Sequence, residues 1–137
     1  MHKQLELSPR TSGVADARHA VTDWCECWRL THLTDAVELL VSELVTNAVV
    51  HGLGAVRVLA DFDGTRIRVE VHDHDPIPPR PHVTAATELD EHGRGLQLVA
   101  MLADRWGSTR TFDGKMVWIE LAVAGPAPLP GVKGAAD

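Results

Sequence analysis

The sequence predicts an α+β fold, a two-layer sandwich whose mixed, mostly antiparallel sheet carries its helices on one face. Three observations lead there. Val56 to Phe62 and Arg66 to Asp73 alternate as strands around Asp63-Gly64-Thr65, a hairpin signal. Gly107 to Phe112 and Met116 to Val123 repeat the pattern around Asp113-Gly114. Two amphipathic helical stretches precede both hairpins, and no helix divides the strands of either pair, as a parallel doubly wound sheet requires.

Leu5-Glu6-Leu7 reads as a short first strand ended by Ser8-Pro9. Ser12 or Gly13 opens a helix to about Arg29, with Val14, Ala17, Val21, Trp24 and Trp28 on one face. Trp24 and Trp28 carry large apolar areas and are assigned to the core rather than to an interface. Thr34 is expected to N-cap a second helix that Gly52 ends. Its buried stripe is Val37, Leu40, Val41, Leu44, Val45 and Ala48. Pro76, Pro78, Pro79 and Pro81 break regular structure, so the stretch to His92 is expected to be a long loop. Gly93 to about Asp104 reads as a third helix. Residues 1–124 form one domain, and the Gly-, Ala- and Pro-rich tail 125–137 is expected to be disordered.

A chain of 137 residues suits a single core. Hydrophobic residues at 45% and charged residues at 23% exclude a wholly disordered polymer. The net charge of −6 argues against direct nucleic-acid or anionic-lipid binding. No run approaches the ~18 apolar residues that a membrane span needs. Met1-His2-Lys3-Gln4-Leu5-Glu6 lacks the apolar stretch of a secretion signal, so a cytoplasmic protein is expected. Cys25 and Cys27, at i and i+2 on a helix, point in different directions and are expected to be reduced thiols.

Glu43, Asn47 and His51 fall at i, i+4 and i+8 of the second helix. That line runs along the edge of the apolar stripe, apart from the outward face of Asp35, Glu38, Ser42 and Thr46. Polar groups beside a core need partners, which neighbours or a ligand can supply. In the strand from Arg66, the apolar Ile67, Val69 and Val71 share a parity with Asp73. Its carboxylate therefore faces the core side at the strand's end. A ligand N–H, such as an adenine amino group, would satisfy it; so would the turn that follows. Both remain open on this strand alone. Gly93-Arg94-Gly95 then leads into Leu96, Val99, Ala100 and Ala103, where glycines and free N–H groups suit a phosphate.

Taken together in this order, Glu43-Leu44-Val45-Thr46-Asn47-Ala48, Asp73, the loop and Gly93-Arg94-Gly95-Leu96-Gln97-Leu98-Val99 resemble the GHKL (Bergerat-fold) ATPases. Leu102-Ala103-Asp104-Arg105-Trp106-Gly107, Gly114-Lys115 and Val117-Trp118-Ile119-Glu120-Leu121 continue the likeness, most narrowly to the small anti-sigma factor serine kinases. The resemblance implies a Bergerat ATP-binding fold with ATP and Mg²⁺ as cofactors. Glu43 would be the general base towards a serine hydroxyl, and Asn47 would hold Mg²⁺ at the nucleotide phosphates. Asp73 would accept the adenine amino group. Gly93, Arg94, Gly95 and Leu96 would surround the phosphates, with Pro76 to His92 as a lid. His51 is better placed to cap the helix C-terminus. The implied partners are a sigma factor and a STAS-domain anti-sigma antagonist, with a homodimer among the implied assemblies. Two departures predict weak ATP affinity. The family's D-x-G-x-G box reads Asp73-His74-Asp75-Pro76-Ile77, and Met116 stands where a threonine often helps fix adenine.

Two alternatives compete with that function. His72, Asp73, His74 and Asp75, with His82 and His92, invite a metal-dependent hydrolase, although Pro76 breaks the strand at once. The other keeps the fold without catalysis, as an ATP-binding, partner-binding module.

Overall fold

The computed structural model describes residues 1–7, 12–51, 54–75, 99 and 101–124. Its strands are β1 (His2–Leu7), β2 (Val56–Phe62), β3 (Arg66–Asp73), β4 (Arg105–Arg110) and β5 (Lys115–Ala122). Its helices are α1 (Ser12–Cys27) and α2 (Thr34–His51), joined by a 3-10 turn over Thr31–Leu33. The five strands form one sheet in the order β1-β2-β3-β5-β4, and every pairing is antiparallel. The α+β expectation holds, with both helices against one face.

Alternation decides which face is covered. Val56, Val58, Ala60, Ile67, Val69, Val71, Val117, Ile119 and Leu121 all point inward and are buried. From α2 they meet Val37, Leu40, Val41, Leu44, Val45 and Ala48, the stripe that its spacing predicts. From α1 come Ala17, Val21, Cys25 and Trp28, with Trp24 packed against the edge of the core. Trp28 meets Phe62 at a ring-centroid distance of 5.8 Å. Truncating a wholly enclosed side chain such as Leu40 to alanine costs about 2–5 kcal/mol.

Among the described residues no helix packs on the opposite face of the sheet, which carries its own charges. Glu120 accepts from Arg66 and Arg68 across β5 and β3, and Glu70 accepts from Arg68. His72 pairs with Glu70 at 2.9 Å. Burial pushes the Glu70 carboxyl up, but bonds from His72 and Arg68 outweigh it and hold it below the usual range. The Arg68 guanidinium lies 4.4 Å from the centroid of Trp118, whose ring packs on Gly107 of β4.

Several boundaries differ from expectation. β1 is longer than Leu5 to Leu7, because Met1 also ties back to Phe62 by two backbone bonds. β4 and β5 begin earlier than expected, since Asp104 already bonds the Glu120 carbonyl and the Ala122 N–H. Thr34 is not an N-cap. Its φ of −56° and ψ of −47° are helical, and its N–H is taken by Thr31 of the preceding 3-10 turn. The Glu38 and Ser42 side of α2 is not outward either. Thr22 and Arg18 of α1 both donate to the Glu38 carboxylate. The expected loop from Pro76, most of the third helix and the tail 125–137 lie outside the described residues; Val99, Met101 and Leu102 are helical.

Candidate functional site at the end of strand β3

Inward parity carries Asp73 under the helical layer at the last position of β3. Its side chain is 2% exposed, so its carboxylate must be satisfied by near neighbours. Two groups do this. The Asp75 N–H donates to Oδ1 at 2.8 Å, closing a turn over residues 73–75. The Lys115 ammonium stands 2.9 Å from Oδ2. Lys115 is itself 7% exposed in its side chain, and its Nζ also donates to the Asp75 carbonyl at 3.2 Å. Strand end, turn and ammonium thus form one connected polar unit.

The register explains the pairing. Asp73 faces Lys115 directly in the β3–β5 ladder, and Lys115 shares its inward parity with Val117, Ile119 and Leu121. Met116 lies on the other side of the sheet, across from His72 and Thr109. Its methionine therefore removes no hydroxyl from the side of Asp73; the residue on that side at the start of the final strand is Lys115.

Two glycines let the backbone close around this point. A β-carbon on Gly114 would collide with the Asp73 carbonyl oxygen and would lie 2.6 Å from the His74 Cα. Only glycine lets the β4–β5 turn lie flat on the end of β3. Gly54, at φ +137°, packs against the His74 ring. Since Gly54 follows α2 by three residues, this contact brings the C-terminal end of α2 beside the Asp73 end of β3.

Glu43 and Asn47 occupy the edge of the α2 stripe as expected, both half-buried. Glu43 is held by an interaction and is not an unpartnered carboxylate. Leu39 and Val50, on the same side of α2, are exposed at 39% and 54%. The fold thus brings Asp73 to the end of α2 that carries Asn47. Gly93, Arg94, Gly95 and Leu96, the expected phosphate-binding residues, lie outside the described residues, as does the side chain of His51.

The imidazoles expected of a metal cluster take separate carboxylates. His72 pairs with Glu70 on the outer face, and His74 stands 3.5 Å from Asp113. Among the described residues no three His, Cys, Asp or Glu side chains converge as a metal-holding group. His82 and His92 lie outside them. No helix among the described residues is long and apolar enough to cross a membrane.

Lys115 is the site residue that sequence reasoning missed. The signal was present, since a charged residue at an inward position of an otherwise apolar strand demands a buried partner. Only the register of β3 on β5 identifies that partner as Asp73.

A family model for the histidine kinase-like ATPase domain matches residues 7–121, well over half of the chain. No curated protein matches it.

Proposed function

The chain belongs to the histidine kinase-like ATPase domain family, an ATP-binding domain, and from that premise we propose a cytoplasmic anti-sigma regulator with serine kinase activity. Its substrate in this reading is a STAS-domain anti-sigma antagonist, and it also sequesters a sigma factor. The observation that carries the reading is the inward, buried carboxylate of Asp73 at the end of β3, beside the end of α2 that bears Asn47.

The residues present fit an adenine nucleotide. A carboxylate offers about four acceptor positions, and the described contacts of Asp73 use two of them. An exocyclic amine can therefore still be accepted. Asn47 presents an amide oxygen, the donor type that a hard cation such as Mg²⁺ takes. Bound ATP supplies the phosphoryl group to be transferred. Glu43, half-buried on α2, would take the proton of the attacking serine hydroxyl. Gly93, Arg94, Gly95 and Leu96 would bind the phosphates.

One observation favours a second reading, a binding module that does not transfer phosphate. The purine-directed carboxylate already has an ion-pair partner in Lys115, so part of any nucleotide affinity is spent on displacing or sharing it. A phosphotransfer assay with a STAS-domain antagonist separates the two. Labelled serine on the antagonist supports the kinase. Stable complex formation without label supports the module.

A further inference from the structure

We propose that Lys115 is a specificity-determining residue of the nucleotide site, reading the purine ring nitrogen N1 while Asp73 reads the neighbouring amine. This rests on the ATP-binding reading above. The inference starts from an oddity of β5, whose inward positions are Lys115, Val117, Ile119 and Leu121. A lysine in that row loses almost all its hydration, since its side chain is 7% exposed. A methionine or leucine would fill the same place without that cost. An ammonium kept there is explained by what its protons do.

Two of them are assigned, to Asp73 Oδ2 at 2.9 Å and to the Asp75 carbonyl at 3.2 Å. An ammonium has three, and no described residue takes the third. The carboxylate beside it likewise keeps acceptor capacity beyond its two contacts. A donor and an acceptor thus stand adjacent, on one face of the sheet and at one end of it. Adenine presents the complementary pair on its Watson–Crick edge, an N–H donor at the amine and a lone pair at N1. The unit is also rigid. Gly114 packs backbone on backbone against Asp73 and His74, and the Asp75 turn is pinned at both its N–H and its carbonyl. Recognition groups fixed in advance lose little freedom on binding.

The test uses the full chain and two nucleotides, Mg·ATP and Mg·1-deaza-ATP, which lacks the N1 acceptor and keeps the amine. Isothermal titration of the unmutated protein is expected to favour ATP by roughly tenfold, the scale of one hydrogen bond from a charged donor. Lys115→Met should bring that ratio to about one, whatever it does to the affinity for each nucleotide. In case this variant does not fold, the lysine ¹⁵Nζ resonance of Lys115 in the unmutated chain gives an independent reading. ATP should shift it and 1-deaza-ATP should not. A ratio near one in the unmutated protein overturns the proposal, as does a tenfold ratio surviving in folded Lys115→Met, or an Nζ signal indifferent to N1. Those results leave Asp73-dependent ATP binding standing. An unmutated chain that binds neither nucleotide removes the ATP-binding reading itself, and this inference with it.

Discussion

Asp73 and Lys115 face each other across β3 and β5 and form an ion pair of 2.9 Å with both side chains almost wholly enclosed. Such a pair is asymmetric in its energetics. Removing one charge leaves the other buried and uncompensated, whereas removing both can be nearly neutral. Asp73→Asn is therefore expected to lower stability by about 3 kcal/mol, and Asp73→Asn with Lys115→Met to recover most of the loss. Urea melts of the two single variants and the double, closed as a cycle, give the coupling. Strict additivity would mean that the pair is not formed.

Gly114→Ala should be among the most damaging single-methyl changes in the chain. The added carbon meets backbone, the Asp73 carbonyl and the His74 Cα, and neither can rotate away. A loss of about 3 kcal/mol is expected. Gly64→Ala makes an informative contrast, because at φ +96° it incurs backbone strain with open space around it. Chemical denaturation of both variants ranks a steric collision against a conformational one, and Gly114→Ala should lose more.

Arg29 closes α1 at φ 59°, a left-handed conformation that costs any residue with a β-carbon. Leu30 N–H then bonds back to the Cys25 carbonyl. Arg29→Gly should raise stability by about 1 kcal/mol, provided the exposed arginine has no other role. A thermal melt checks it, and a lower midpoint would show that its side chain matters.

Asp63 links acidity to the β2–β3 hairpin. Backbone bonds from Thr65 and Arg66, joined by the Thr65 hydroxyl, hold its carboxyl down at about 2 from an ordinary value of 3.8. Because the folded value is the lower one, the contribution is fully present above 3.8 and is lost as pH falls through about 2. Melts recorded across that window should show the unmutated chain losing stability more steeply than Asp63→Asn. Parallel curves would contradict the assignment.

The two thiols should react differently. Cys25 is fully enclosed and burial pushes its thiol up, so little thiolate forms near neutral pH, while Cys27 is exposed. A thiol reagent should modify one cysteine quickly under native conditions and the second only on unfolding.

Much of the molecule was legible beforehand because period-two and period-3.6 patterns record which face is buried. The bounds of β2, β3 and the α2 stripe follow directly from Val56 to Phe62, Arg66 to Asp73 and Val37 to Ala48. What stayed hidden depends on partners distant in sequence. Thr34 looked like a cap because the 3-10 turn over Thr31–Leu33 leaves no strong local mark. Glu38 looked solvated because nothing in its own helix announces Thr22 and Arg18 of α1. At the site, alternation correctly turned Asp73 inward, and the turn reading of its carboxylate is realised in the Asp75 N–H. Lys115 stayed hidden because only the register of β3 on β5 identifies Asp73 as its partner.

Titration of the full-length chain with Mg·ATP, repeated on the charge-balanced Asp73→Asn, Lys115→Met variant, tests the nucleotide site most directly. One binding event in the unmutated protein and none in the folded variant is the predicted outcome. Equal affinity in both would contradict a purine site built on the end of β3.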